Sequence, residues 1–389
     1  MNLTMTAELI FWMSAAGLLY TYAGYPLLLV IMSSLCPRLV RRADSMPSVT
    51  IIITAYNEEQ ALAAKLEDTL ALDYPRNRLE VVVASDCSSD RTDEIACGFA
   101  ARGVRLHRQP ERLGKTAAQN AAVERASGEI IVFSDATTFY RRNVLRAIMP
   151  NFADPRVGCV TGRVSYTDST SSSVGHGTRS YWSYEFFLKK HESAICSLIG
   201  VCGCLYAVRR SAYVPLYHEA CSDFVIATKM VEQGLRAVYE PAAVCSEATN
   251  IQANKELSTR VRIMTQTFAD LWRNRAMMNP LRSGFYAVEL LSHKVMRYLV
   301  PLFLIAILAA SAVLASGSTF HLVALALQIG FYIAAGFAGL LELVGLHSRL
   351  LAIPQYFVLG NLASLIAFYQ FLRGERYMRW EPIRASGTP

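Results

Sequence analysis

The chain has 389 residues, 53% hydrophobic and 18% charged, and carries a formal net charge of +7. So apolar a composition excludes an ordinary cytosolic enzyme, and the apolar residues are unevenly placed. Part of the positive balance flanks the apolar segments, which points to anionic lipid headgroups and a phosphate-bearing substrate, not to nucleic acid.

Residues 9–35 form an apolar run broken mainly by small and aromatic residues, long enough for one bilayer crossing at roughly 20 residues. The run is too long for a cleaved signal peptide and lacks a basic leader, so residues 1–37 are expected to be a retained anchor. Arg38, Arg41 and Arg42 follow it. By the positive-inside bias, the region after them is expected on the cytoplasmic side of the inner cell membrane.

Residues 48–275 read as a soluble α/β domain. Short apolar runs at 49–55, 80–84 and 129–133 predict strands, and the patterns at 58–71, 90–101 and 115–126 predict helices between them. That alternation predicts a mostly parallel sheet with helices on both faces, whose ligands bind beyond the carboxyl ends of the strands. Three strand ends deliver polar side chains to that rim: Tyr56-Asn57-Glu58, Ser85-Asp86 and Ser134-Asp135. One acid after a strand is commonly a helix cap, and Asp90 reads as such. Two acids on strands of one sheet suit a divalent cation holding a diphosphate, or hydrogen bonds to a nucleoside. Near the far end of the domain, Asp223 opens a helical pattern that stops at Gly234.

Residues 280–297 mix apolar, basic and aromatic side chains, as expected of an interfacial helix lying on the bilayer. Residues 298–373 hold three further apolar stretches, 298–316, 320–345 and 351–372, and a basic tail covers 374–389. An anchor plus three full crossings would put that tail opposite the soluble domain, whereas its basic residues argue for the same side. Pro354, Gln355 and Asn361 make the last stretch the weakest, so its path is left open between a crossing and an interfacial segment. The nine cysteines show neither disulfide nor metal-ligand spacing and read as free thiols; a low-complexity loop is expected at 168–173.

The ordered set "VTIIITAYNEE", "VVVASDCSSDRT", "LGKTAAQNAAVERASGEIIVFSDATT" and "CSDFVIATKMVEQGLRAVYEP" resembles glycosyltransferase family 2. The flanking apolar segments resemble its membrane-bound subgroup, which includes hyaluronan and cellulose synthases. The resemblance implies a Rossmann-like glycosyltransferase A-type domain flanked by transmembrane α-helices. It implies a UDP-sugar donor, and a saccharide or lipid-linked acceptor, in exopolysaccharide or cell-surface glycan synthesis, with other synthesis or export proteins as partners. Carried over by position, Tyr56 and Glu58 would contact base and ribose, Asp86 the uracil side, and Lys115 a place near the base. Asp223 would be the catalytic base, and Arg260 and Arg262 would grip the diphosphate.

Asp135 matches the first acid of the Asp-x-Asp motif and would be the metal ligand, for Mg²⁺ or Mn²⁺. Thr137 replaces the second acid, which weakens the metal expectation. "STRVRI" at 258–263 departs from the polymerising members' Gln-x-x-Arg-Trp, with Ile263 in place of tryptophan. Trp182, Trp272 and Tyr181 are the candidates for a replacement stacking face. "GVCGCLYAVRRSAY" at 200–213 resembles the family's Gly-x-Gly strand, whose small residues would let an acceptor approach the backbone. Three readings follow: a single-transfer inverting enzyme, a processive synthase that exports its polymer, and an inactive membrane scaffold.

Overall fold

A computed structural model describes residues 2–167, 173–248, 253–344, 346 and 348–377. Nearly all of the loop expected at 168–173, and the tail beyond Tyr377, lie outside those residues.

The domain is built on one eight-stranded sheet: β1 (Val49–Ala55), β2 (Leu79–Ser85), β3 (Val104–Arg108), β4 (Ile130–Asp135), β5 (Phe139–Tyr140), β6 (Val157–Thr167), β7 (Leu205–Arg209) and β8 (Arg236–Ala248). Their order is β3-β2-β1-β4-β7-β6-β8-β5. The first four strands run parallel, β7 runs antiparallel between β4 and β6, and β6 pairs parallel with β8. All seven residues of β1 are buried, because helices cover both faces. This is why its sequence is an unbroken apolar run and does not alternate. Register pairs Ala55 with Ser85 and Thr54 with Asp135, so the three polar strand ends stand level on one rim.

The helices expected between the first strands are present but shorter, at Leu62–Leu70, Thr92–Gly98 and Lys115–Glu124. The first starts late because Asn57 takes a left-handed backbone (φ 53°), which no helix can continue through. The second starts behind Asp90, whose carboxylate accepts from the Thr92 N–H at 3.0 Å. Asp90 thus braces the helix start from one residue before the N-cap position, which Arg91 occupies.

Among the described residues, four helices are long and apolar enough to cross a membrane: α1 (Leu3–Leu35), α2 (Phe285–Leu314), α3 (Thr319–Glu342) and α4 (Leu350–Leu372). Residues 280–297, expected as a separate interfacial helix, begin with a short turn at Pro280–Ser283. From Phe285 the chain runs unbroken into the apolar helix, because apolar side chains keep a helical spacing across the expected boundary. α1 spans about 50 Å at 1.5 Å per residue, more than the hydrocarbon thickness. Its far end packs Ala7 and Phe11 on Ala310 and Leu314, while its near end buries Tyr25 and Leu29 against Leu188 and Ile195 of the domain. α4 behaves differently. Its Tyr356 meets Arg260, and further along Gln370 bonds Thr265 at 3.1 Å. The Tyr377 carbonyl just beyond accepts from Gln266 at 2.6 Å. Both halves of α4 thus lie on the domain side of the bundle.

Candidate active site

The turns that end β1 and β2 are knitted together. The Ser89 N–H donates to Asn57 Oδ1 at 2.7 Å, the Glu58 N–H to Thr92 Oγ1 at 2.7 Å, and the Arg91 N–H to Glu59 Oε2 at 3.2 Å. The polar sequence after the three isoleucines thus has a structural use before any ligand arrives. Asn57 and Cys87 both take positive φ here, strain that folded chains concentrate at working loops.

Asp86 is fully buried and accepts from the backbone N–H groups of Leu113 and Gly114, at 2.9 and 3.1 Å. Gly114, at φ 96°, permits that turn, and the next residue, Lys115, opens a helix. The Tyr56 ring lies under the Arg112 guanidinium, 3.7 Å from its centroid. Asp86 and Tyr56 therefore shape the wall around Lys115, and neither lines the cavity that Lys115 lines.

That cavity measures about 650 Å³ and brings together Glu58, Lys115, Asp135, Asp223, Arg260 and Arg262. Lys115 is ion-paired to Asp135. Burial alone would lower the Lys115 ammonium, but Asp135 beside it leaves it raised. Asp223 sits in the first turn of the helix Ser222–Glu232 and accepts from the Cys221 thiol at 2.9 Å. Its other oxygen faces Gly203, where a Cβ would come within 3.3 Å. The glycine keeps that face of the carboxylate open to a ligand.

Two acids that the sequence did not single out complete the site. Asp270 accepts from the Cys221 N–H at 3.0 Å and the Tyr217 hydroxyl at 2.5 Å, fixing the start of the Asp223 helix. Burial pushes its carboxyl up to about 7, against those hydrogen bonds and with help from the Asp223 charge. Glu247, beyond the middle of the long strand β8, lines the cavity; burial and then the charge of Asp135 push it up to about 7. The one local sign of Asp270 is a carboxylate amid Phe268 and Leu271 on an apolar helix face.

Arg260 is committed elsewhere. It pairs with Glu256 at 2.7 Å, bonds the Tyr356 hydroxyl, and its guanidinium carbon lies 4.7 and 4.6 Å from the ring centroids of Tyr181 and Tyr356. It closes the cavity against α4, while Arg262 lines the cavity beside it. Tyr181 and Trp182 also line the cavity; Trp272 is 63% exposed and does not.

Among the described residues, no three His, Cys, Asp or Glu side chains are arranged to hold a metal ion. Asp135 with Thr137 nearby fits a hard cation only jointly with a diphosphate, since Mg²⁺ commonly takes one or two carboxylates plus phosphate oxygens. The described cysteines are free; Cys204 and Cys245 approach to 3.7 Å between sulfurs.

Residues 50–214 match the model of the family described as glycosyl transferase family 2. The poly-beta-1,6-N-acetyl-D-glucosamine synthase of Staphylococcus aureus (strain COL) is 26% identical over 209 residues, covering 52% of this chain and 50% of that protein. An N-acetylglucosaminyltransferase of Rhizobium sp. (strain N33) is 26% identical over 247 residues, 59% of this chain and 54% of that one. The chain thus spans about half the length of the curated relatives it matches. A solved structure, mannosyltransferase PcManGT from Pyrobaculum calidifontis in complex with GDP-Man and Mn²⁺, superposes with a TM-score of 0.69 at 24% identity. It covers 94% of this chain and 99% of that one, so the two share a fold over nearly the whole of both.

Proposed function

Because residues 50–214 match the glycosyl transferase family 2 model, we propose that this chain is a membrane-embedded inverting glycosyltransferase. It transfers a sugar from a UDP-sugar to a saccharide or lipid-linked acceptor in exopolysaccharide or cell-surface glycan synthesis. The observation that carries this reading is the single cavity in which Asp223, at a helix start, shares space with the Lys115–Asp135 pair at the strand ends.

Asp223 accepts the proton of the attacking hydroxyl as that oxygen bonds to the anomeric carbon. Attack from the side opposite the nucleotide inverts the anomeric centre as the bond to the diphosphate breaks. Lys115 and Arg262 offset the charge that grows on the departing diphosphate. Asp135 would hold a divalent cation arriving with the donor, and such a cation adds charge neutralisation at the same oxygens. Asp270 positions the helix that carries Asp223 and does not touch substrate.

Both curated relatives are named for N-acetylglucosamine, which makes UDP-N-acetylglucosamine the first donor to test. The polymer in the first relative's name supports a second, processive reading, separated from single transfer by product length. The basic flank Arg38, Arg41 and Arg42 supports a cytoplasmic domain at the inner membrane. With both halves of α4 on the domain side, the chain crosses three times and the tail returns to the cytoplasm. A cysteine-labelling reagent that cannot cross the membrane tests this. A tail cysteine reached only after permeabilisation of right-side-out vesicles agrees; labelling in intact ones contradicts it.

A further inference from the structure

The helix that carries Asp223 has a cysteine at its start. Cys221 holds the N-cap position, and its carbonyl accepts from the N–H groups of Phe224 and Val225 at 3.0 and 2.9 Å. Side chains favoured at that position carry an oxygen that accepts from N–H groups of the first turn. The Cys221 side chain makes no such bond. Its thiol is instead a donor, to Asp223 Oδ1 at 2.9 Å. Burial, with the charges of Asp223 and Asp270 added, pushes that thiol well above the ordinary range, so it keeps its proton.

Cys221 is itself held from behind. Its N–H donates to Asp270 Oδ2 at 3.0 Å, and Asp270 Oδ1 accepts from the Tyr217 hydroxyl at 2.5 Å. Asp270 belongs to the helix Ala253–Arg273, which also carries Arg260 and Arg262. One residue thus ties the Asp223 carboxylate to the helix of those arginines. The other oxygen, Oδ2, faces Gly203, where the missing side chain leaves it room. Cys221 and Gly203 both line the cavity.

We propose that Cys221 is a positioning residue for the base: its thiol occupies Asp223 Oδ1 and turns Oδ2 to the acceptor hydroxyl. The inference rests on the glycosyltransferase reading and deepens it by naming which carboxylate oxygen takes the proton. The thiol keeps its own proton throughout. The acceptor's proton passes to Oδ2 as the acceptor oxygen bonds to the anomeric carbon. Without the thiol the carboxylate turns about its last side-chain bond, and a misaimed base loses rate, not substrate binding.

The test takes two readouts on full-length protein in detergent, alongside melting curves. The first is kinetic, with the UDP-sugar that wild type turns over. Cys221→Ala is expected to lower kcat by about tenfold and to hold KM within about twofold. Cys221→Ser, which keeps a donor in that place, recovers most of the loss. The second needs no turnover: alkylation of Cys221 by N-ethylmaleimide, read by mass spectrometry of its peptide. Asp223→Asn is expected to speed it by about tenfold, because the charge that opposes thiolate formation is gone. Wild-type kcat in Cys221→Ala overturns the proposal. Equal losses in the alanine and serine variants overturn it, as does a rate loss that a drop in melting temperature accounts for. Alkylation indifferent to Asp223→Asn shows thiol and carboxylate unbonded and overturns it too. Absence of turnover in wild type bears on the glycosyltransferase reading and leaves the alkylation result standing.

Discussion

The parallel half of the sheet and the seam beneath the membrane helices use polar residues in opposite ways. On the sheet domain, ion pairs such as Arg91–Glu94 stand in water, with both side chains about 70% exposed. In the seam, Glu192 has a fully buried side chain and accepts from the Tyr25 hydroxyl at 2.7 Å, with His293 at 2.6 Å. Glu185 beside it is held well below the ordinary carboxylate range: burial opposes ionisation, but Arg297 and His293 outweigh it. The domain therefore owes its shape to apolar burial, and its join to the membrane helices depends on a buried charge network in which removing one member strands another.

The largest effect should come from the cavity that both regions share. Asp223→Asn keeps the helix start but removes the base, and should lower sugar transfer by about 10²–10⁴-fold with unchanged melting. Steady-state assays on purified protein would show this; near wild-type turnover would contradict the assigned base.

Next is the seam itself. Glu185→Ala leaves Arg297 buried without its carboxylate and His293 with Glu192 alone, and stranding a buried charge typically costs about 3–5 kcal/mol. Thermal melting in detergent should drop by many degrees, whereas Arg91→Ala on the domain surface should leave it unmoved. Equal effects of the two would dissolve the contrast.

A pH dependence sharpens it further. Asp270 and Glu247 are raised to about 7 when folded, from an ordinary value near 4. Between those values the folded state keeps protons that the unfolded state releases. Stability should therefore fall as pH rises from about 4 to about 7 and then level off. The double variant Asp270→Asn, Glu247→Gln should flatten that slope; an unchanged slope would place its origin elsewhere.

The smallest effect concerns α4. Tyr356→Phe removes the hydroxyl that Arg260 bonds and should cost about 1 kcal/mol. A loss as large as that of Glu185→Ala would show that α4 docks chiefly through that one group.

The same contrast governs what the sequence makes legible. β1, β2 and β4, the presence of the helices between them and the acids Asp86, Asp135 and Asp223 follow from local periodicity and from residues beside strand ends. Asp270 and Glu247 carry no such mark, because their partners lie far along the chain. Asp270 meets Cys221 across 49 residues, and His293 meets Glu192 across 101. Arg260 illustrates the limit from the other side: its place in an arginine pair suggests a diphosphate ligand, while Tyr356, 96 residues on, engages its guanidinium. The path of α4 was undecidable for the same reason, since hydropathy reports length and apolarity and not which helix lies alongside.

The most direct measurement is UDP release by detergent-purified protein given a panel of UDP-sugars, UDP-N-acetylglucosamine first, with lipid acceptors, and with and without Mg²⁺ or Mn²⁺. Turnover of one donor that is lost in Asp223→Asn is the expected result. Silence across the panel from folded protein that still binds UDP would contradict the transferase reading and favour an inactive scaffold.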